Sequence, residues 1–262
     1  MIKAVAVDMD GTFLNSNKDY NRTLFAEIFA KLQAQNIKFI VASGNQSYQL
    51  QRYFPHHFEQ ITFVAENGAL VLNGQTEVFS ASFSKQTIQK IYTTLKQAQI
   101  KNFCLSGKQS AYVLTSVADS YQQELKHYCP RLQVIDSLAE IDDHIFKFNL
   151  NVPASQTSQI QDLLNQQLKK EARATSSGHG DIDLILPHIN KAFGLKQALK
   201  QWQLSADDLA AFGDGGNDLE MLAFAKHSYA MANGYPEVLA TAKYQAPSND
   251  EDGVLTTLKK LL

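Results

Sequence analysis

The chain has 262 residues, of which 44% are hydrophobic, and it can bury the core of one large domain or of two moderate ones. Its formal net charge of −2 supplies no broad positive field for a nucleic-acid backbone or an anionic membrane, so neither partner is expected. The two cysteines are too few for a disulfide framework, and no apolar run approaches the roughly 18 residues that would span a membrane. We expect no secretory signal, because Asp8 interrupts the apolar stretch at the N-terminus. We therefore expect a reducing, cytoplasmic setting.

The first predicted element is a strand over Ile2 to Val7, which is apolar on both faces as in a parallel sheet. Asp8-Met9-Asp10-Gly11-Thr12 follows at its carboxyl end, where open α/β sheets bind ligands. Two carboxylates two residues apart point the same way if the chain stays extended, and their repulsion favours either protonation of one or a neutralising cation. A polar loop that only ends a strand would not require this order of residues. Asp8 and Asp10 are therefore the candidate catalytic residues.

A second strand and the residues after it are predicted to lie beside this motif. Apolar residues from Leu24 to Leu32 recur at helical spacing, and a buried strand follows over Ile37 to Ala42. A right-handed βαβ connection places Ser43 and Gly44 at the same sheet edge as Asp8. The Ser43 hydroxyl and backbone N–H groups at the start of the next helix would bind an anion, whereas the simpler interpretation is that Ser43 only caps that helix.

The third predicted strand, Ile61 to Ala65, is followed by Glu66-Asn67-Gly68 and by another apolar run, Ala69 to Leu72. Asn67-Gly68 between two such runs is typical of a hairpin with a type I′ turn. The segment is either this turn alone or a part of the site, and the residues do not decide between the two.

Beyond residue 82 the pattern changes to short hairpins that alternate with helices, which predicts an inserted α+β block. We expect a core domain of residues 1–82 and 187–262, and an inserted domain of residues 83–186. The polar loop from Ser176 to Asp181 contains His179 and glycines that allow close approach of a ligand. A surface turn with an exposed histidine is the simpler interpretation of this loop.

Asn190-Lys191 opens the next predicted helix. A lysine in the first turn lies at the positive end of the helix dipole, which is mildly unfavourable. A bound phosphate would compensate, so Lys191 is a candidate phosphate ligand, although a tolerated surface lysine is the alternative.

The last motif follows a short buried strand over Leu209 to Phe212 and reads Gly213-Asp214-Gly215-Gly216-Asn217-Asp218. Its glycines allow a tight loop that brings Asp214 and Asp218 toward Asp8. Several carboxylate oxygens in one place suit Mg²⁺.

These motifs, in this order, resemble the four motifs of the haloacid dehalogenase superfamily of phosphatases. Glu66-Asn67-Gly68-Ala69 and the chain length are similar to its Cof-type branch (subfamily IIB), and Val41 to Gln46 and Lys108 to Tyr112 most resemble the bacterial sugar phosphatases. The resemblance implies an α/β fold, with a Rossmann-like parallel-sheet core and an inserted α+β cap of the C2B type. Asn45 stands where an arginine is common in the family.

The resemblance also implies Mg²⁺-dependent hydrolysis of a small sugar phosphate through an aspartyl-phosphate. Asp8 would be the nucleophile and Asp10 the general acid and base. The implied metal residues are Asp8, Asp10 through its backbone carbonyl, Asp214 and Asp218. The implied phosphate-binding residues are Met9, Ser43, Gly44, Lys191 and Asn217.

Three alternatives remain open at this point. The protein could be a phosphatase of another small metabolite, such as pyridoxal phosphate or a nucleotide. It could pass the phosphoryl group to a sugar hydroxyl, as a phosphotransferase or phosphomutase does. A non-catalytic phosphosugar-binding sensor would need Lys191 and Ser43 but not Asp10. In each case the expected partner is a small phosphorylated molecule, and the chain is expected to be a monomer or a small homo-oligomer.

Overall fold

The computed structural model of the protein describes residues 1–178 and 180–262. The chain divides into two compact units, a core unit of Met1–Ser80 with Asn190–Leu262 and an inserted unit of Ala81–Ile189. His179 of the polar loop in the sequence analysis lies outside the described residues.

The core unit begins with alternating strands and helices. In chain order these are β1 (Ala4–Val7), α1 (Arg22–Ala34), β2 (Lys38–Ala42), α2 (Ser47–Tyr53), β3 (Thr62–Ala65), β4 (Leu70–Asn73) and β5 (Thr76–Ser80). The apolar sequence of β1 leaves every one of its residues buried, as expected for a strand with neighbours on both faces. A helix after Ser43 was expected from the sequence, and α2 is that helix, although it begins only at Ser47. The strand β5 was not predicted, because none of its residues is buried and it carries no clear apolar period.

The inserted unit has the α+β composition that the sequence predicts. Its elements are α3 (Lys85–Gln97), β6 (Phe103–Gly107), β7 (Ala111–Leu114), α4 (Asp119–Tyr128), β8 (Leu132–Ile135), β9 (Ile145–Asn151), α5 (Thr157–Gln167), β10 (Arg173–Gly178) and β11 (Asp181–Ile185). Six of the described strands form a sheet in the order β10-β11-β9-β6-β7-β8. The predicted loop from Ser176 to Asp181 is shorter than expected, since β10 continues to Gly178 and β11 begins at Asp181.

The chain then returns to the core unit. The remaining elements are α6 (Lys191–Lys200), β12 (Leu209–Gly213), α7 (Leu219–Phe224), β13 (His227–Met231), α8 (Pro236–Thr241), β14 (Tyr244–Ala246) and α9 (Gly253–Leu261). The side chain of Asn190 accepts a hydrogen bond from the backbone N–H of Phe193 and so caps α6. No described helix is long and apolar enough to cross a membrane.

The sheet of the core unit brings distant parts of the sequence to one edge. Eight of the described strands follow the order β14-β13-β12-β1-β2-β3-β4-β5, in which neighbours from β14 to β3 are parallel and β4 and β5 are antiparallel. Val7 at the end of β1 is in register with Phe212 of β12 and with Val41 of β2. The loops that follow these three strands therefore leave the sheet side by side.

The turn between β3 and β4 differs from the prediction. The two strands form the expected antiparallel hairpin, but Ala65 pairs with Leu70, so the turn contains four residues and is not a two-residue type I′ turn. Glu66, Asn67 and Gly68 all have positive φ, at 52°, 54° and 96°. A Cβ atom on Gly68 would lie 2.2 Å from the backbone oxygen of Asn190, so this turn is shaped by its packing against the start of α6.

The expectation that Ser43 caps a helix is wrong. The helix α2 begins four residues later, at Ser47, with Gln46 as the residue before it. The Ser43 hydroxyl instead accepts a hydrogen bond of 3.1 Å from the backbone N–H of Asn45, which closes a local turn. This local hydrogen bond competes with helix formation, so the N–H groups after Ser43 belong to a loop.

Candidate active site

Three carboxylates meet where β1 and β12 end. Asp8 follows β1, Asp214 follows β12, and Asp218 lies in the short turn before α7. One oxygen atom of each carboxylate lies within 4.8 Å of the others. Asp8 and Asp218 are buried and Asp214 is partly buried, so their charges are only weakly screened by water.

Lys191, in the first turn of α6, lies between two of these carboxylates. Its Nζ atom is 2.6 Å from Asp8 Oδ1 and 2.6 Å from Asp218 Oδ1, and the side chain is fully buried. Burial alone would lower the pKa of Lys191, but the carboxylates of Asp218 and Asp8 raise it above its ordinary value. Two carboxylates thus offset the unfavourable position of this lysine on the helix dipole, which the sequence alone did not indicate.

The carboxylates crowd one another despite this lysine. Burial raises the pKa of Asp8 well above its ordinary value, with Lys191 opposing the shift and Asp218 and Asp214 adding to it. Burial and then the charge of Asp218 raise the pKa of Asp214 to about 6, against the effect of its hydrogen bond with Thr12. One ammonium group does not neutralise three carboxylates, so the group retains an excess of negative charge.

Asp218 fixes the shape of the loop that carries Asp214. While its Oδ1 atom binds Lys191, its Oδ2 atom accepts hydrogen bonds of 3.0 Å from the backbone N–H groups of Asp214 and Gly215. The loop cannot move without breaking bonds to a buried charge, which is costly. Asp218 therefore holds Asp214 in place as well as pairing with Lys191.

Gly11 and Thr12 determine where the carboxylate group of Asp214 lies. Gly11 has φ of 77°, and a Cβ atom there would lie 2.4 Å from Asp214 Oδ2. Thr12 Oγ1 donates a hydrogen bond of 2.6 Å to Asp214 Oδ1. Thr12 has no role assigned from the sequence, although the hydroxyl that ends the first motif was the available signal.

Asp10 lies apart from the three-carboxylate group. Its Oδ1 atom accepts a bond of 2.6 Å from Lys18 Nζ, and its Oδ2 atom accepts one of 2.8 Å from Asn45 Nδ2. The backbone leaves the extended conformation at Met9, so the argument that side chains two residues apart share one face does not apply here. Neither Lys18 nor Asn45 was identified from the sequence as a partner of Asp10.

The predicted phosphate-binding residues Ser43 and Asn217 are connected through the turn after β3. Asn67 donates its backbone N–H to the Ser43 carbonyl oxygen at 3.0 Å, and its Oδ1 atom accepts a bond of 3.1 Å from Asn217 Nδ2. Ser43 and Asn67 are buried. The turn is thus more than a strand connection, since it links the loops that follow β2 and β12.

The three-carboxylate group fits a divalent cation by charge and by donor chemistry. It offers hard oxygen ligands from Asp8, Asp214 and Asp218, and Mg²⁺ prefers such ligands and takes few of them from a protein. The raised pKa values of Asp8 and Asp214 mark a crowding of like charges that a bound cation would relieve.

Comparison with known proteins is consistent with this geometry. Residues 5–258 match the family model of the haloacid dehalogenase-like hydrolases. The chain belongs to this family. The resemblance inferred from the motifs is confirmed, as are the enzyme class, a phosphatase of the haloacid dehalogenase type, and the α/β fold class.

Among its relatives in the haloacid dehalogenase family is the 5-amino-6-(5-phospho-D-ribitylamino)uracil phosphatase YbjI of Escherichia coli (strain K12), which is 41% identical over 261 residues, covering 100% of this chain and 96% of that protein. The solved structure of SMU.1108c from Streptococcus mutans UA159 has a TM-score of 0.95 and 38% identity, and the match covers 100% of this chain and 99% of that one. The subclass IIB sugar phosphatase BT4131 has a TM-score of 0.85 at 16% identity over 99% of this chain and 98% of its own, and this similarity establishes the fold alone.

Proposed function

We propose that this protein is a Mg²⁺-dependent phosphatase that hydrolyses small phosphate monoesters through an aspartyl-phosphate on Asp8. The observation that carries the proposal is the convergence of Asp8, Asp214 and Asp218 around Lys191 at the carboxyl ends of β1 and β12. A cluster of this kind provides a nucleophile, a cation site and a fixed positive charge within one hydrogen-bonded group.

The proposed substrates are phosphate esters of polyhydroxylated carbon chains, meaning small sugar phosphates and sugar-alcohol phosphates. The motif resemblance favours sugar phosphates, and the relative from Escherichia coli is named for a substrate whose phosphate is carried by a ribityl chain. In sugar phosphates and in sugar-alcohol phosphates alike, the leaving group is a primary or secondary alkoxide with neighbouring hydroxyl groups. An alkoxide of this kind leaves poorly unless it receives a proton.

In the proposed mechanism Asp8 attacks phosphorus in line, and the bond from phosphorus to the leaving oxygen breaks while Asp10 gives that oxygen its proton. Asp10 then takes a proton from the water that attacks the aspartyl-phosphate, and Asp8 is released with inorganic phosphate. A cation held by Asp8, Asp214 and Asp218, with the Asp10 carbonyl, would offset the repulsion between an anionic nucleophile and an anionic phosphate.

The phosphoryl oxygens would be held by the Lys191 ammonium, the Ser43 hydroxyl, the Asn217 amide and the backbone N–H groups of Met9 and Gly44. Donors fixed in advance around the developing charge are the main source of catalysis in phosphoryl transfer. Lys191 is fixed by its two carboxylates, and Asn217 by its bond to Asn67.

We assign these steps to a catalytic core of residues 1–82 and 187–262, because every residue named above belongs to that part of the chain. We also propose that residues 83–186 form a cap that selects the leaving group.

The test is the release of inorganic phosphate from a panel of substrates, with Mg²⁺ and with EDTA. The panel contains glucose 6-phosphate, ribose 5-phosphate, ribitol 5-phosphate, nucleotides and pyridoxal phosphate. We expect turnover of the sugar and sugar-alcohol phosphates with Mg²⁺ and its loss in EDTA. Phosphate recovered on an added sugar instead of in solution would indicate a transferase, and tight binding without turnover would indicate a sensor.

Asp8→Asn should reduce phosphate release by at least about a thousandfold, because loss of a covalent nucleophile removes the whole route. Asp207→Asn is the matched control, since it changes an exposed aspartate of the same unit whose side chain is 77% accessible. Circular dichroism and thermal unfolding would check that both variants fold. Substantial activity in folded Asp8→Asn would exclude Asp8 as the nucleophile.

A further inference from the structure

Each carboxylate oxygen of Asp10 has its own partner, and the two partners come from different loops. Lys18 Nζ lies 2.6 Å from Oδ1, and Asn45 Nδ2 lies 2.8 Å from Oδ2. Lys18 belongs to the loop after β1, whereas Asn45 belongs to the loop after β2. The side chain of Asp10 is 44% accessible, so water alone would leave its carboxylate free to rotate.

Lys18 is held in place by its own loop. Asn15 donates its backbone N–H to the Asp19 carbonyl at 2.8 Å, Lys18 donates its N–H to the Asn15 carbonyl at 2.9 Å, and Asn15 Oδ1 accepts from the N–H of Asn17 at 2.9 Å. These bonds hold Lys18 in the left-handed conformation, with φ of 58°. The loop therefore brings the side chain of Lys18, eight residues after Asp10 in the sequence, back to the Asp10 carboxylate.

Asn45 is fixed by its backbone as well. Its N–H donates to Ser43 Oγ at 3.1 Å, and its carbonyl accepts a bond of 3.2 Å from the N–H of Glu66. The backbone of Asn45, whose side-chain amide donates to Asp10 Oδ2, is thus fixed by two hydrogen bonds. A substitution of the side chain alone would leave both backbone bonds in place.

The torsion that turns a carboxylate about its Cβ–Cγ bond is broad and has no strong intrinsic preference. A hydrogen bond to each oxygen removes this freedom, and a carboxylate has about four acceptor sites, so two remain for a proton. We propose that Lys18 and Asn45 are positioning residues which together set the orientation of the Asp10 carboxylate for proton transfer. The inference rests on the proposed acid–base role of Asp10.

The proton transfers that require this orientation are balanced. In the first step the Asp10 carboxyl gives its proton to the leaving oxygen as that oxygen takes the electron pair of its bond to phosphorus. In the second step Asp10 accepts a proton from the attacking water as the bond between phosphorus and Asp8 breaks, and Asp10 returns to its starting form. A misplaced carboxylate slows both steps, because proton transfer requires hydrogen-bond distance and alignment.

Two substrates with different leaving groups distinguish a positioning role of Lys18 and Asn45 from a merely structural one. An alkyl phosphate such as ribitol 5-phosphate requires a proton on its leaving oxygen, whereas p-nitrophenyl phosphate releases a stable anion without one. Both substrates would be tested on the full-length protein with Mg²⁺. Steady-state kinetics would give kcat and KM, and rapid mixing would give the first turnover of p-nitrophenyl phosphate.

We expect Lys18→Met to lower kcat for ribitol 5-phosphate by up to about fivefold, as for a largely exposed ion pair, and Asn45→Ala to lower it by about tenfold or more. The KM for ribitol 5-phosphate should stay within about twofold of the wild type. For p-nitrophenyl phosphate, the rate of the first p-nitrophenolate release should also stay within about twofold, so that this release appears as a burst before a slower steady state. Lys18→Arg, which keeps the charge and the donors, should restore kcat to within about twofold of the wild type.

Lys3→Met is the matched control, because Lys3 forms an ion pair of 2.9 Å with Asp208 and has a similar accessible fraction, 56% against 61% for Lys18. Asp10→Asn serves as the reference and should show the same dependence on the leaving group more strongly.

If Asp10→Asn is impaired in this way while Lys18→Met and Asn45→Ala behave like Lys3→Met, the positioning role is excluded and the proposed function stands. An equal loss of the p-nitrophenolate burst would also exclude it, and unimpaired alkyl turnover in Asp10→Asn would overturn the acid–base assignment itself.

Discussion

At the scale of single residues, Gly11 shows how closely the first and last motifs approach each other. Its φ of 77° is in the left-handed region, and a Cβ atom would meet both Oδ2 of Asp214 at 2.4 Å and its Cγ at 2.8 Å. A glycine at this position therefore meets two requirements at once, the backbone turn after Asp10 and the space for Asp214.

Gly11→Ala should weaken Mg²⁺ binding by at least about tenfold, because the new methyl group must displace a carboxylate of the proposed cation site. The measurement is the Mg²⁺ dissociation constant of the folded protein from isothermal titration calorimetry. Gly74→Ala is the control, since Gly74 has φ of 59° and a Cβ atom there would meet the Glu59 carbonyl at 2.8 Å. Both variants should lose stability, and an equal loss of Mg²⁺ affinity in both would exclude the displacement of Asp214.

At the scale of elements, α6 presents its first residue to the ends of β1 and β12. Gly68 and Gly194 allow this, because a Cβ atom on Gly194 would lie 2.4 Å from Val64 Cγ1 and 2.9 Å from the Cα of Gly68. The close packing of the helix against β3 and its turn buries Lys191 completely. A buried ammonium group needs charged partners, and here Asp8 and Asp218 supply them.

Lys191→Met should lower the stability of the metal-free protein by about 3–5 kcal/mol, because two buried carboxylates lose their counter-charge. Calorimetry should show a fall in unfolding temperature of about 2–4 °C for each kcal/mol, and Mg²⁺ should restore part of it.

The control for that loss is Lys147→Met, which breaks a buried pair of 3.1 Å with Asp183 in the inserted unit. It should cost a similar amount of stability, and Mg²⁺ should raise its unfolding temperature only as much as it raises that of the wild type, because its three-carboxylate group is unchanged. An equal gain from Mg²⁺ in both variants would show that a bound cation does not compensate for the lost ammonium group of Lys191.

At the scale of the whole molecule, the stability of the metal-free protein should depend on pH through the crowded carboxylates. Folding raises the pKa of Asp214 from 3.8 to about 6, so its protonated form favours the folded state at low pH. This contribution is present below about pH 4 and is lost as the pH rises through about 6. Above that pH the ionised carboxylate costs at most about 3 kcal/mol in the absence of a cation.

Asp214→Asn should therefore raise the unfolding temperature in EDTA at pH 7.5, since it removes a crowded charge and keeps an oxygen that can accept the bond from Thr12. The advantage over the wild type should disappear near pH 4. With Mg²⁺ the order should reverse, because the wild type gains stability by binding the ion and the variant gains little. The same Mg²⁺ shift in both proteins would show that Asp214 is not a ligand.

Much of the fold followed from local patterns in the sequence. The apolar runs of β1, β2, β3 and β12 predicted parallel strands, and the position of the acidic motifs after β1 and β12 predicted where their carboxylates would meet. The strand β5, which has no buried residue, was not predicted because its sequence lacks a clear period, and the start of α2 was placed too early.

By itself the sequence determined which residues lie at the ends of the strands, because hydrophobic periodicity and glycine positions are properties of neighbouring residues. Only the tertiary structure decided which side chains pair: Lys191 with Asp8 and Asp218, Thr12 with Asp214, and Lys18 and Asn45 with Asp10. It also decided the left-handed turn after β3, which packs against the start of α6. Most of these contacts join residues far apart in the sequence, so their geometry depends on how the sheet and helices pack and not on local propensity.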